Sequence, residues 1–96
     1  MREVLKRLEE RRDAWKFVRA FGVMSRILER AGFSAYEADK RGYKIEHPKA
    51  KGRTFHIWRE SVYDDDDDDF MIRGWEKDPE GTAEKLVTYA KENWGI

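Results

Sequence analysis

Six consecutive aspartates are the most chemically distinctive feature of this sequence. They are Asp64, Asp65, Asp66, Asp67, Asp68 and Asp69. Carboxylates are good ligands for Ca²⁺ and Mg²⁺, but selective sites need them at spaced loop positions with a glycine for the turn, which an unbroken run lacks. Because adjacent like charges repel, the run predicts a solvent-exposed, mobile loop over residues 64–69. Such a loop either solvates a connection and protects a sheet edge, or imitates a phosphate backbone.

Glu46, His47 and His56 are the residues most suited to a catalytic metal site. They suggest a metal-dependent nuclease only if the strand register brings both histidines together. No serine-hydrolase triad, phosphate-binding glycine loop, HExxH or dinucleotide fingerprint is present. The chain has no cysteine, which excludes thiol nucleophiles, disulfides and cysteine-based metal sites. We therefore expect no enzymatic activity, no cofactor and no metal, with the nuclease as a minor alternative.

The bulk composition predicts one soluble domain, residues 1–96, with 40% hydrophobic and 42% charged residues. Residues 1–60 carry 16 Lys and Arg against 9 acidic residues, a net charge of +7, and residues 61–96 carry 4 against 11, a net charge of −7. This asymmetry favours association with charged partners. No apolar run is long enough for a membrane span and the N-terminal segment is charged, so we expect a cytoplasmic protein without a signal peptide.

The apolar patterns that would position these residues predict an α+β fold in the order α-β-β-β(-β)-α. A helix is predicted over residues 2–31, with a break or bend at Gly22, because one straight helix cannot bury all its apolar residues. An antiparallel meander of three or four strands follows over residues 33–76, and the acidic loop interrupts it. A second helix is predicted over residues 79–94, with Asp78 as its N-cap and Pro79 in its first turn. Both helices are expected on one face of the sheet.

Strand alternation sorts the sheet residues onto two faces. The predicted core-facing set is Tyr43, Ile45, Phe55, Ile57, Phe70 and Ile72. The predicted open-face set is Lys44, Glu46, His56, Trp58, Met71, Arg73 and Trp75. Trp58, Met71, Arg73 and Trp75 are of the types found at binding hot spots, and with the aspartates they form the predicted partner-binding site. Alternatively, the first helix covers Trp58 and Trp75.

Basic residues concentrate between positions 40 and 59 and predict an alternative site for direct RNA or DNA binding. They are Lys40, Arg41, Lys44, Lys49, Lys51, Arg53 and Arg59.

Three segments in order, "ILERAGF", "HPKAKG" and "GTAEKLVTYA", resemble the small HicA-type toxins. The resemblance covers about residues 27–91 and implies a fold similar to a double-stranded-RNA-binding domain. In those toxins a Gly-Ser-His motif supplies the histidine needed for RNA cleavage. Gly42, Tyr43 and Lys44 stand at the corresponding positions, so the resemblance does not imply ribonuclease activity here.

These observations lead to the hypothesis of a non-enzymatic binding module that inhibits or regulates a nucleic-acid-handling protein. The acidic run and the aromatic sheet face would form its binding surface. Small anti-CRISPR and anti-restriction proteins of phages and mobile elements are similar in size and in acidic mimicry. A homodimer through Val4, Leu8 and Trp15 is a further expectation, since these residues lie off the core stripe of the first helix.

Overall fold

A computed structural model describes the backbone of residues 2–39 and 42–96, and the side chains of residues 15–38 and 42–96. The fold is α+β, with one helix at each end of an antiparallel sheet, which confirms the predicted class and element order. The elements are α1 (Arg2–Arg30), β1 (Ser34–Asp39), β2 (Gly42–Glu46), β3 (Thr54–Trp58), β4 (Ser61–Asp64), β5 (Asp67–Arg73), a single 3₁₀ turn (Trp75–Lys77) and α2 (Pro79–Asn93).

The sheet is a five-stranded meander in which every strand pairs with its neighbours in sequence. The prediction of three or four strands missed β4, because the aspartate run was assigned to a loop. The expectation that residues 64–69 form a mobile loop is wrong. Asp64 ends β4, Asp67 begins β5, and Asp65 and Asp66 alone form the turn between them. Four of the six aspartates are therefore in strands. Asp64 is extended because it continues the alternation of Val62 in a strand whose inner face is buried.

Helix α1 is continuous from Arg2 to Arg30, without the predicted break at Gly22. The break was predicted so that apolar residues off the core stripe could be buried. Instead, the described stripe residues Phe17, Phe21, Met24 and Leu28 contact the core, while the off-stripe residues Trp15, Val18 and Val23 stay exposed. One continuous helix is therefore sufficient, because the exposed set does not have to reach the core.

The C-terminus of α1 closes through a glycine in the left-handed region. Gly32 has φ 91°. Its N–H donates to the Glu29 carbonyl at 3.0 Å, and the Phe33 N–H donates to the Leu28 carbonyl at 2.9 Å, which is a Schellman motif. The turn directs Phe33 into the core and starts β1 against the sheet.

Helix α2 begins at the predicted cap, where the Asp78 carboxylate accepts from the Gly81 N–H at 3.0 Å. Both helices contribute to one core on the same face of the sheet. The buried apolar side chains come from α1, α2 and the inner faces of the strands: Ala20, Met24, Leu28, Phe33, Ile45, Ala50, Phe55, Ile57, Val62, Trp75, Ala83, Leu86, Ala90 and Trp94. Tyr43, Phe70 and Ile72 are partly buried against this cluster, so the predicted core-facing residues lie on the predicted side.

Trp75 is the one residue of the predicted open face that lies in the core. Strand β5 ends at Arg73, and Gly74 with φ 74° turns the chain so that alternation no longer applies. The Trp75 ring is fully buried, stacks on Phe17 at a centroid distance of 5.9 Å, and donates its indole N–H to the Arg59 carbonyl at 2.6 Å. Through these two contacts, Trp75 connects the β3–β4 turn to α1. The alternative that the first helix covers both Trp58 and Trp75 therefore holds only in part: Trp75 packs against α1 on the core side of the sheet, whereas Trp58 stays exposed.

Candidate functional site: an acidic hairpin beside an open sheet face

The acidic hairpin is anchored by one buried carboxylate, Asp64. Its side chain is excluded from solvent, with an exposed fraction of 0%. One oxygen, Oδ2, accepts from Arg53 Nη2 at 2.9 Å, from the Tyr89 hydroxyl at 2.7 Å and from Trp94 Nε1 at 3.1 Å. The other, Oδ1, accepts from the Asp66 backbone N–H at 2.9 Å. The carboxylate therefore links the β2–β3 connection, β4, the hairpin turn, and the C-terminal part of α2 with its cap residue Trp94.

Hydrogen bonding outweighs burial in setting the charge state of Asp64. Burial by itself raises the pKa of this carboxyl group, because an ion loses solvation in the interior. The bonds from the Asp66 backbone, Tyr89, Trp94 and Arg53 act in the opposite direction and hold the pKa of Asp64 below its ordinary value. Asp64 is therefore charged at neutral pH, as a buried acceptor of several donors should be.

Tyr89 joins the two strands of the hairpin. Its hydroxyl lies 2.7 Å from Asp64 Oδ2 and 2.8 Å from Asp67 Oδ2. Burial, followed by the two carboxylates, raises the pKa of Tyr89 well above its ordinary value, so the hydroxyl stays protonated. The Tyr89 ring also stacks on Phe70 at 3.9 Å. Two of the six aspartates are thus held against α2, of which Asp64 is buried and Asp67 is half-buried.

The other four aspartates, Asp65, Asp66, Asp68 and Asp69, are exposed and are called the acidic tip below. The hairpin holds the tip in place, because the Asp65 N–H donates to the Thr54 carbonyl at 3.1 Å. Two tip carboxylates have cationic or imidazole neighbours. His56 Nε2 lies 2.5 Å from Asp65, and Arg53 Nε lies 3.5 Å from Asp66. The tip therefore presents concentrated negative charge on an ordered hairpin.

The face of the sheet opposite the helices carries an aromatic row that crosses all five strands. Strand pairing aligns its members across the sheet in the order Tyr36, Lys44, His56, Tyr63 and Met71. Tyr36 is 42% exposed and Met71 is 51% exposed. Tyr63 stacks on His56 with ring centroids 5.5 Å apart. Neither helix covers this row in the described part of the chain, since α1 and α2 occupy the other face.

A second cluster lies on the same face, at the end away from the acidic tip. Trp58 is 41% exposed, as predicted, and the Arg59 guanidinium lies 5.8 Å from the centre of its ring. Arg73 reaches the same end, since Ser61 pairs with both Trp58 and Arg73. The open face therefore runs from a basic aromatic end, Trp58, Arg59 and Arg73, to the acidic tip. Of the predicted partner-binding residues, the structure brings Trp58, Met71 and Arg73 to one face.

The predicted nucleic-acid-binding cations do not form one surface. Arg53 is occupied by Asp64 at 2.9 Å. Lys49 and Lys51 are exposed in the β2–β3 connection, at the end of the sheet that also carries the acidic tip, whereas Arg59 lies at the other end. Lys44 stands between them in the aromatic row. Lys40 and Arg41 lie outside the described residues.

The three residues considered for a nuclease site have separate structural partners. Glu46 accepts from the Tyr36 hydroxyl at 2.9 Å, and His56 lies against Asp65. His47 is buried edge-on against Phe33, and its Nδ1 accepts from the Lys49 N–H at 3.1 Å. His47 and Glu46 line a pocket of about 390 Å³ beside Gly32 and the β2–β3 connection. Among the described residues, no group of three His, Asp or Glu side chains is arranged to hold a metal ion.

Comparison with known proteins finds no match to this chain among protein-family models, curated proteins or solved structures. No helix in the described residues is long and apolar enough to cross a membrane. Of the three residues predicted for a dimer seam, the side chains of Val4 and Leu8 lie outside the described part of the chain, and Trp15 is exposed.

Sequence reasoning missed the tyrosines and the special position of Asp64. Tyr36 and Tyr63 were not assigned to the open face, because the residues of the first strand were not sorted onto faces and β4 was not recognised. A signal for Asp64 was present in the segment "SVYD", where Val62 and Asp64 share a strand face. The partners of Asp64, however, come from as far as 30 residues away in sequence, so no local pattern shows that it is buried.

Proposed function

We infer that this protein is a non-enzymatic binding module for a protein with a basic, nucleic-acid-handling surface. The observation that carries the proposal is the acidic tip, held on an ordered hairpin at the edge of an uncovered aromatic sheet face. In one strand of DNA, successive phosphates are spaced about 3.4 Å along the axis. An extended chain places successive residues about 3.4 Å apart. A fully exposed, extended run of aspartates would therefore match the linear charge density of a nucleic acid strand; here Asp64 and Asp67 are held against α2, so the acidic tip presents four of the six charges.

The open sheet face supplies apolar contact area, which a hairpin of carboxylates alone would lack. Trp58, Met71 and Tyr36 offer half-exposed apolar and aromatic surface, and such residues supply much of the binding energy at protein interfaces. Arg59 and Arg73 give the distal end the opposite charge. A partner that fits this surface has a basic patch facing the tip and an apolar or acidic patch facing Trp58. An inhibitor of this kind would compete with nucleic acid for the basic patch.

Direct nucleic-acid binding is less favoured by the placement of the charges. The exposed lysines Lys49 and Lys51 lie at the same end as the acidic tip, whose carboxylates repel phosphates. Arg53, which lies between them and the tip, is already paired with Asp64 and Asp66. The described members of the predicted basic set therefore do not supply the contiguous basic surface that salt-dependent phosphate binding requires.

The test uses the tip variant Asp65→Asn/Asp66→Asn/Asp68→Asn/Asp69→Asn, which removes four exposed charges and leaves Asp64 and Asp67 in place. Its matched control, Glu80→Gln/Glu84→Gln/Glu92→Gln, removes three exposed charges from α2. Immobilised wild-type protein is incubated with a nuclease-treated lysate of its natural host, and each protein that it retains is then purified for direct binding measurements. We expect direct binding by the wild type and the α2 control, weak binding by the tip variant, and competition by an oligonucleotide.

Two results would contradict this proposal. Retention that disappears with nuclease treatment, together with loss of binding in Lys49→Glu/Lys51→Glu, would establish direct nucleic-acid binding instead. Equal binding of the purified partner by the tip variant and the wild type would show that the aspartates do not contact it. A second variant, Trp58→Ala/Met71→Ala, tests the open face separately and is expected to weaken binding at least tenfold, as loss of hot-spot residues does.

A further inference from the structure

Strand β5 is an edge of the sheet, and its outer side is free. The strand order leaves β1 and β5 as the two edges, and among the described residues no strand pairs with the outer side of β5. A free edge exposes backbone N–H and C=O groups that can pair with another strand. Strand β5 spans seven residues, Asp67–Arg73, and its apolar residues are Phe70, Met71 and Ile72. Such an edge is a surface for pairing with an extended segment of another chain.

The backbone groups of Met71 and Arg73 point to this outer side. The Gly74 N–H donates to the Glu60 carbonyl at 2.7 Å, so the backbone groups of Gly74 face β4. Direction alternates from residue to residue along an antiparallel strand, so the backbone groups of Ile72 also face β4. Those of Met71 and Arg73 therefore face away from the sheet.

On the tip side, the free edge ends at Asp69. The Asp69 backbone N–H donates to Asp67 Oδ1 at 3.0 Å, so this donor is satisfied inside the molecule. The Asp69 and Arg73 side chains are exposed, and neither has an ion-pair partner among the described residues. The segment available for pairing is therefore residues 69–73, in which an apolar centre lies between a carboxylate and a guanidinium.

We propose that the outer side of β5 pairs with β5 of a second copy of this chain, antiparallel and centred on Met71. A two-fold axis through the Met71 pair brings Asp69 of each copy opposite Arg73 of the other. The same register brings Phe70 opposite Ile72, and both are partly buried in the single chain. Because the backbone groups of Met71 face outwards, the two Met71 residues form a hydrogen-bonded pair. Acid therefore meets base twice, and apolar side chains meet apolar side chains.

The other edge strand, β1, lacks this self-complementarity. It spans Ser34–Asp39 and contains Glu37 and Asp39 but no cation, so two paired β1 strands would hold carboxylates with no opposite charge. Pairing through β5 leaves β1 at both outer edges of a sheet made of two five-stranded halves, and the assembly closes as a dimer. The open sheet faces of both copies lie on one side of it. This self-association does not depend on the proposed function.

The first test measures self-association of the wild-type chain by sedimentation equilibrium. We expect a monomer–dimer equilibrium without larger species, because the two-fold pairing uses β5 of both copies. A chain that stays monomeric at every concentration would overturn the proposal. Association that continues past the dimer would also overturn it, because pairing of β5 with β1 of the next copy is not closed.

A single cysteine tests the register, since the chain has none of its own. In a hydrogen-bonded pair the two Cα atoms lie about 5.5 Å apart, within the roughly 4.4–6.8 Å that a disulfide spans. Met71→Cys should therefore form a disulfide-linked dimer under mild oxidation. The control Tyr63→Cys lies one strand further in, where the two copies are three strand spacings or about 14 Å apart, and should stay unlinked. Equal linking of the two variants would contradict the register.

Charge exchange between Asp69 and Arg73 tests the same register without a cross-link. Arg73→Asp and Asp69→Arg each set like charges opposite each other twice, so each should raise the dissociation constant about tenfold or more. The double variant Asp69→Arg/Arg73→Asp restores both opposite pairs and should dimerise like the wild type, as should an equimolar mixture of the single variants. The controls Lys91→Asp and Glu84→Arg make the same charge changes on exposed positions of α2 and should leave dimerisation unchanged.

Circular dichroism checks that each charge variant is folded, which is expected because the changed side chains are exposed. If the double variant dimerises no better than the single variants, the proposal is overturned, because the pairing of Asp69 with Arg73 is then absent. Single variants that dimerise as tightly as the wild type would overturn it as well.

Discussion

Replacing Asp64 by alanine should destabilise the protein far more than the same change at any exposed aspartate of the run. The wild-type carboxylate is excluded from solvent and accepts four hydrogen bonds. Its removal leaves the buried Trp94 indole N–H without an acceptor, which costs about 1–3 kcal/mol. The Arg53 guanidinium is 31% exposed and can turn towards water, so loss of this pair adds only about 1 kcal/mol. Tyr89 keeps Asp67 as an acceptor.

The expected loss in the free energy of unfolding is about 3 kcal/mol. It is not larger, because removing a buried charge also returns part of the desolvation energy of that charge. A chain of this size has a free energy of unfolding of about 5–14 kcal/mol, so the change removes a large fraction of it. The melting temperature should fall by roughly 12–24 °C. The assay is urea denaturation followed by tryptophan fluorescence, with amide hydrogen exchange to show whether the β4–β5 hairpin opens first.

The matched control is Asp68→Ala, which removes an exposed carboxylate from the same run and should change the free energy of unfolding by less than about 0.5 kcal/mol. If the urea concentration at the unfolding midpoint of Asp64→Ala is equal to or above that of Asp68→Ala, the reasoning is refuted. It would mean that the hydrogen bonds to Asp64 do no more than offset the burial of its charge.

Two further predictions concern pH and backbone space. Because the pKa of Asp64 is lower in the folded protein than in the unfolded chain, its stabilisation is complete above about pH 4, the ordinary aspartate value, and is lost as pH falls through the lowered folded value. The free energy of unfolding, measured by urea titration from about pH 2 to about pH 7, should depend less steeply on pH in Asp64→Asn than in the wild type. An unchanged slope would exclude Asp64 as the source of the acid destabilisation. Gly42→Ala should destabilise the protein by about 1–3 kcal/mol, because the added Cβ would lie 2.3 Å from the Ile57 carbonyl oxygen. Gly22→Ala should instead stabilise α1 by about 0.5–1 kcal/mol. Thermal melts of the two variants check both signs, and equal melting temperatures would contradict the close approach of β2 and β3.

The fold was largely predictable because local sequence patterns specify its helices, its strands and their buried faces. The spacing of Phe17, Phe21, Met24 and Leu28 defines the buried stripe of α1, and Asp78 with Pro79 marks the start of α2. Alternation in β2 and β3 sorted Ile45 and Phe55 from their exposed neighbours. These signals are short in range, since a helical or extended chain repeats its side-chain directions every few residues.

The site was less predictable because its members come from distant segments. Trp75 was assigned to the open face by continuing the alternation of β5, but one glycine with positive φ returned it to the core. The aspartates were treated as six equivalent charges, whereas the structure distinguishes one buried, one shared with Tyr89 and four exposed. Homopolymeric sequence has no internal pattern from which that division could be inferred.

The sequence by itself determined the element order, the sidedness of most strands and the opposite charges of its two halves, because each follows from nearest-neighbour geometry and composition. Only the tertiary structure decided which aspartate is buried, which tryptophan is exposed and where the basic residues fall around the sheet. Donors from the β2–β3 connection, the hairpin turn and the C-terminal end of α2 must converge before a carboxylate can be stable in the interior, and that convergence depends on the assembled layers rather than on any local segment.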